Sequence, residues 1–222
     1  MGLDPDKIDG IIWDLDNTLY RFTEEFRYQC NVAAAKAAQT QGINLSYDDT
    51  FKLAQKSEAE YGYSIHLYLV HHGLSYDSLH VPFHDNIDET TINIIDGAAE
   101  GIRAINRPQA ILTNASRGWA QRVLKHMKVS DLFPDEMITA SEDVDFQVKS
   151  QSRVGFERAL KALDLSAERV VMVDDLDRNL IIPHEMGMQT VYMHHDDPIG
   201  DLPHYMDAQF ENILGFIDAL KA

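Results

Sequence analysis

The chain has 222 residues, 45% hydrophobic and 25% charged, an ordinary globular composition and enough length for one large core, or a core carrying a smaller inserted domain. Nineteen Lys and Arg against 36 Asp and Glu give a net charge of −17, which argues against nucleic acid or an anionic membrane surface as the main partner. A small anionic substrate stays open, because a metal and a few cations can reverse a local field. A single cysteine, Cys30, excludes an intrachain disulfide and a Cys-based zinc site. With no leader and no run of transmembrane length, the expected location is cytoplasmic.

Residues 8–14 read as the first strand, an apolar run that stops in Asp14-Leu15-Asp16-Asn17-Thr18. Side chains two apart in an extended chain share a face, so the spacing predicts Asp14 and Asp16 side by side at the open end of a buried strand. Adjacent carboxylates repel, and a cation, a shared proton or solvation must relieve them. The alternative that asks for no chemistry is a solvated turn built from Asp16, Asn17 and Thr18. Next, Phe22, Phe26, Cys30, Ala33 and Ala37 recur at helical spacing. Gly42 ends that helix, and Ser46 caps another with Asp48 and Asp49 in its first turn. Helical patterns continue to about 90, with breaks near Gly62, Gly73 and Pro82, and no strand pattern stands between 20 and 105.

The texture then changes. Asp96-Gly97 opens a helix through Ile105, and strands at Gln109–Thr113, Glu136–Thr139, Arg169–Val173 and Gln189–Met193 alternate with helices over 117–128, 152–163 and 178–187. Residues 207–209 pair weakly, and a last helix carries Phe210, Ile213, Phe216, Ile217 and Leu220. This alternation predicts an α/β fold, a Rossmann-like parallel sheet core with helices on both faces. The core is discontinuous, 1–19 with 93–222, around an all-helical insertion over 20–92.

Open parallel sheets bind ligands beyond the carboxyl ends of their strands. The residues that fall there are Asp14, Asp16 and Thr18 after the first strand, Thr113, Asn114 and Ser116 after the second, and Asp174, Asp175 and Asp177 after the fourth. Lys149 precedes the helix that begins near Ser152. Capping accounts for Thr113, Asn114 and Ser116 as readily as function does, and acids at a helix start suit its dipole. Together, though, two Asp pairs form a hard oxygen site suited to Mg²⁺. A hydroxyl, an amide and a lysine at a helix start suit a phosphate.

In order and spacing, Asp14-Leu15-Asp16-Asn17-Thr18, Thr113-Asn114, Lys149 and Asp174-Asp175 resemble the motifs of the haloacid dehalogenase-like (HAD) superfamily, in its Mg²⁺-dependent phosphatase branch, and the helical insertion resembles that family's cap. Asp16-Asn17-Thr18-Leu19-Tyr20, Glu60-Tyr61-Gly62 and Val173-Asp174-Asp175 with Asn179 resemble the pyrimidine 5′-nucleotidase-type subfamily. The resemblance implies a phosphomonoesterase that works through an aspartyl-phosphate on a small phosphorylated metabolite such as a nucleoside monophosphate. Asp14 is then the nucleophile, ionised at neutral pH without help from a base. Asp16 is the general acid and base and lends its carbonyl to the metal, and Thr18 orients Asp16. Thr113 and the Asn114 backbone hold phosphoryl oxygens, Lys149 neutralises charge, Asp175 binds Mg²⁺ directly and Asp174 does so through water. True dehalogenases lack the second Asp and the metal, so Asp16 favours phosphoryl chemistry.

The chain departs from the family pattern at Ser150, where Pro is usual, and at Leu176, where a small residue is common; Asp177 adds a further acid. Cap histidines His66, His71, His72, His80 and His84 read as solvated or packed, and His194-His195-Asp196-Asp197 as a polar loop. Substrate choice is expected from the cap, where Tyr61, Leu67 and Tyr68 read as core rather than base-stacking residues. Phosphoglycolate or a sugar phosphate is the alternative substrate. A degenerate phosphate-binding protein and a receiver-like signalling domain are the alternatives of another class; the second lacks its third-strand Asp.

Overall fold

A computed structural model describes residues 2–61 and 63–221. Gly62, expected to break the helical pattern and to close Glu60-Tyr61-Gly62, lies outside the described residues. The chain divides into two compact units, Met1–Arg21 with Ile94–Ala222, and Phe22–Asn93.

The first unit is built on six parallel strands: β1 (Gly10–Trp13), β2 (Gln109–Leu112), β3 (Ile138–Thr139), β4 (Val170–Asp174), β5 (Gln189–Met193) and β6 (Ala208–Phe210). Their order is β3-β2-β1-β4-β5-β6. β1 therefore lies inside the sheet, with Ile12 opposite Ala110 on one side and Met172 on the other. β1, β2 and β4 are buried along their whole length, as strands covered on both faces must be, and this accounts for their apolar runs over residues 10–13, 110–112 and 170–173. On one face Ile12, Ala110, Leu112 and Met172 pack with Phe156, Ala159 and Leu163 of α7 (Val154–Leu163). On the other, Trp13 meets Phe216 of α9 (Ile213–Ala219) edge to face at 5.5 Å. This is the α/β Rossmann-like architecture that the alternation of strands and helices predicts. Three more helices belong to this unit: α5 (Ala98–Arg103), α6 (Arg117–His126) and α8 (Ile181–Glu185).

Two local readings change. Phe210 belongs to β6, paired with Met193, rather than to the last helix. The helix starts after it because the Asn212 side chain accepts from Leu214 N at 3.0 Å, an N-cap. Within the helical unit, Pro82 lies inside a helix and does not end one.

That unit comprises α1 (Glu24–Thr40), α2 (Tyr47–Tyr61), α3 (His66–His72) and α4 (Tyr76–Asp85). Thr23 caps α1 by accepting from Phe26 N, and Ser46 Oγ accepts from Asp49 N at 3.2 Å at the start of α2. Gly42 and Gly73 take the positive φ needed to leave α1 and α3, at 78° and 65°. Ala33, Ala34, Ala37 and Ala38 are buried on α1, which lets α2 approach closely. Leu67 and Tyr68 are core, Tyr68 donating to Thr50 O at 2.7 Å, whereas Tyr61 is exposed. His80 and His84 are packed among aromatic rings, and His71 and His72 are solvated. No helix among the described residues is long and apolar enough to cross a membrane.

Candidate active site

The site is assembled where β1, β2 and β4 end together. Asp14 follows the last residue of β1, and its N–H donates to Val173 O at 2.9 Å, so the neighbouring strand fixes its backbone. Asp174 is the last residue of β4. Thr113 follows β2, its N–H donating to Thr139 O at 3.0 Å. Lys149 arrives from the loop before α7 and is buried.

Lys149 joins two acids. Its Nζ lies 2.5 Å from Asp14 Oδ1 and 2.6 Å from Asp174 Oδ2, with 3% of the side chain exposed. Charge-assisted bonds of this length, away from water, are strong. Burial alone would lower the Lys149 pKa, but Asp14 and Asp174 outweigh it and hold the ammonium protonated. The loop that delivers this lysine has Ser150 where Pro is usual, and a side chain supplies the anchor: Asn114 Oδ1 accepts from Lys149 N at 3.1 Å. Ser141 Oγ in turn donates to Asn114 O. Asp174 is held on its other side by Asn179 Nδ2, at 3.0 and 3.2 Å, and by Leu176 N at 2.9 Å.

Asp14, Asp174 and Asp175 each offer a carboxylate oxygen, all within 4.8 Å of one another. Burial raises the Asp14 carboxyl well above its ordinary range; Lys149 pulls it down, and Asp174, Asp175 and Asp16 push it up again. Burial first, and then Asp174, push Asp175 up to about 7. Burial and mutual repulsion disfavour the charged forms of these clustered acids, and a divalent cation, which hard oxygen donors of this kind fit, would relieve both. Asp177 is exposed, its carboxylate accepting from Arg178 N, and stands outside the cluster.

Asp16 is turned to other partners. Its Oδ1 accepts from Tyr20 OH at 2.6 Å and from Trp119 Nε1 at 2.7 Å, and its Oδ2 from Thr113 Oγ1 at 3.3 Å. Burial raises its pKa, and the bonds from Tyr20 and Trp119 oppose that by favouring the ionised form. Two expectations are corrected here. Asp16 does not join the cluster of carboxylates. Thr18 does not orient Asp16; its Oγ1 donates to Asp14 Oδ2 at 2.9 Å. Residues 16–19 form a turn in which Asn17 has a left-handed φ of 59°, and this turn brings Thr18 back to Asp14.

Asn17 also touches the acidic cluster, its Nδ2 donating to Asp175 Oδ2 at 2.7 Å, and its carbonyl accepts from His195 Nε2 at 2.5 Å. The polar loop after β5 therefore reaches the acidic turn. Tyr20, Trp119 and His195 have contacts in the site that sequence reasoning missed. For Tyr20 and Trp119 the available signal was a ring with a polar end placed near an acid, since buried Tyr and Trp seek partners for O–H and N–H.

A family model for haloacid dehalogenase-like hydrolases matches residues 8–181. The chain belongs to the haloacid dehalogenase-like hydrolase family. Solved structures carry the same fold. The HAD-family protein YfnB from Bacillus subtilis, determined bound to magnesium, is 19% identical with a TM-score of 0.64, over 97% of this chain and 99% of its own. A hydrolase from Pseudomonas syringae is 18% identical with a TM-score of 0.64, over 96% and 97%. A dehalogenase is 14% identical with a TM-score of 0.61, also over 96% and 97%. A search of curated proteins finds no match. The chain is thus a HAD-like hydrolase with an acidic cluster that could hold a metal, and a dehalogenase shares its fold.

Proposed function

We propose that this HAD-like hydrolase is a Mg²⁺-dependent phosphomonoesterase acting through an aspartyl-phosphate. The observation that carries the reading is Asp16. A departing halide needs no proton, whereas an ester oxygen does, and here a second carboxyl is held by Tyr20, Trp119 and Thr113, apart from the Asp14–Lys149 pair.

Asp14 attacks phosphorus through a carboxylate oxygen, and the ester oxygen leaves with the proton of Asp16. Asp16, now a carboxylate, takes a proton from water as that water attacks phosphorus, and the bond to Asp14 breaks to release phosphate. Lys149 pulls the Asp14 pKa down against burial, holds the carboxylate in line, and offsets negative charge as the phosphoryl group arrives. Thr113 and Asn114 form the start of the loop that faces the phosphoryl oxygens. Asp14, Asp174 and Asp175 would hold Mg²⁺, with the Asp16 carbonyl, and the bound ion supplies positive charge that stabilises the transferring group.

The substrate is a small phosphorylated metabolite. Asp16-Asn17-Thr18-Leu19-Tyr20 and Val173-Asp174-Asp175 with Asn179 support a nucleoside monophosphate, as in the pyrimidine 5′-nucleotidase-type subfamily. The single cysteine supports a cytoplasmic setting. The test is phosphate release with Mg²⁺ across nucleoside monophosphates, phosphoglycolate and sugar phosphates, together with p-nitrophenyl phosphate. Wild type should turn over at least one, and Asp14→Asn should abolish that turnover. Wild-type activity in Asp14→Asn would refute the nucleophile, and halide release from a haloacid with no phosphate release would replace the reading with dehalogenation.

A further inference from the structure

We propose that Trp119 and Tyr20 divide the work between the two oxygens of Asp16: they hold Oδ1 as a permanent acceptor, so that Oδ2 alone carries the exchanged proton. The inference rests on the phosphomonoesterase reading and adds two positioning residues to it.

The argument is one of donors and lone pairs. An indole N–H can only donate, and Trp119 Nε1 is 2.7 Å from Oδ1. Protonating Oδ1 on that side would set two hydrogens against each other. The Tyr20 hydroxyl, on a fully buried side chain, donates to the same oxygen at 2.6 Å. The two donors together use both lone-pair directions of Oδ1. Oδ2 has one looser contact, Thr113 Oγ1 at 3.3 Å. That hydroxyl also accepts from Ala115 N at 2.9 Å. As a rotor it can donate to Oδ2 when the oxygen is bare, and turn to accept when Oδ2 carries a proton.

The clamp comes from two separate parts of the chain. Tyr20 lies four residues beyond Asp16, and Trp119 sits in the first turn of α6, where Ser116 Oγ accepts from Trp119 N at 3.3 Å. The capped helix start therefore fixes where the indole points. In the first chemical step the Oδ2–H bond breaks, the proton passes to the leaving oxygen, and the P–O bond electrons stay with that oxygen. In the second, water gives its proton to Oδ2 while its oxygen bonds to phosphorus, and the electrons of the Asp14–phosphorus bond return to Asp14. Oδ1 makes and breaks no bond in either step.

The test compares leaving groups. Because kcat/KM covers steps through departure of the leaving group, it isolates the proton donated by Oδ2. Tyr20→Phe deletes only a hydroxyl, and Trp119→Phe deletes the N–H along with part of a ring. Each should lower kcat/KM by about tenfold for an alkyl phosphate, whose leaving oxygen needs the proton, and by less than about threefold for p-nitrophenyl phosphate, whose leaving group does not. Equal losses on both substrates, or none, in the folded Tyr20→Phe variant would overturn the proposal while leaving the phosphatase reading intact. A wild type silent on every phosphate would remove both. A readout independent of turnover is the indole N–H resonance. The chain has two tryptophans, and Asp16→Ala should move the Trp119 signal while leaving that of Trp13, which donates to Gln109 Oε1. An unmoved Trp119 signal would also overturn the clamp.

Discussion

Replacing Lys149 with methionine removes an ammonium that lies 2.5 Å from Asp14 Oδ1 and 2.6 Å from Asp174 Oδ2. Methionine has similar length and reach, so the packing term stays small. The electrostatic term does not: breaking a buried ion pair by deleting one partner costs about 3–5 kcal/mol. In a chain of this size, about 1 kcal/mol moves Tm by roughly 2–4 °C, which gives a fall of roughly 6–20 °C. The loss should depend on pH. Burial already raises Asp14 above its ordinary 3.8, and Lys149 opposes that rise. Without the lysine, the folded-state pKa climbs further. A carboxyl whose folded pKa is raised contributes stability that is fully present below its unfolded pKa and is lost as pH rises through the folded one. The variant therefore suffers least near pH 4–5, where a carboxyl can stay protonated, and most near pH 8. Melting both proteins in a chelator at the two pH values, followed by circular dichroism, measures the difference. An equal Tm loss at both pH values, or no loss at pH 8, would refute the ion-pair reasoning.

Metal dependence should follow the same linkage. With Asp175 raised to about 7 by burial and Asp174, the metal-free protein should lose stability as pH rises between about 4 and about 7. In the proposed site Mg²⁺ would bind the ionised acids, so its Tm increment should be larger at pH 8 than at pH 5; an increment that ignores pH would contradict the assignment. Asn179→Ala removes the bonds at 3.0 and 3.2 Å to the buried Asp174 carboxylate, and the expected cost is about 1.5–3 kcal/mol. Its urea midpoint tests this, and a wild-type midpoint would show that Asp174 does not need that partner.

Most of the fold could be read from the chain because its signals are local. Unbroken apolar runs such as Gly10–Trp13 and Val170–Val173 announce strands covered on both faces, and buried faces at helical spacing, such as Trp119, Val123 and Met127, announce the helices between them. Phe210 was misread because its ring fits the helical stripe of α9, while its strand state depends on a partner, Met193, seventeen residues earlier. At the site, the residue types and their rim positions were legible, but the pairing was not. Period-two reasoning assumes an extended chain through Asp16, whereas the strand ends at Trp13 and a turn begins at Asp16. Trp119 and Tyr20 were counted as apolar or motif residues, since their polar atoms acquire a role only when α6 and β1 are brought together. Asn114 offered only a capping signal, and its bond to the Lys149 backbone spans 35 residues.

The interior position of β1 also has a consequence for synthesis. Gly10 pairs with Val170, and Ile11 with Gln109. At about 5–20 residues per second, a ribosome needs on the order of 10–30 seconds between making Gly10 and making Val170. Through that interval, the most apolar stretch of the early chain waits for half of its ladder. The helical unit, Phe22–Asn93, is compact in itself and can be completed in the meantime. The strand that leads into Asp14 is thus made among the first and locked among the last, and chaperone demand during translation should fall chiefly on Ile11, Ile12 and Trp13.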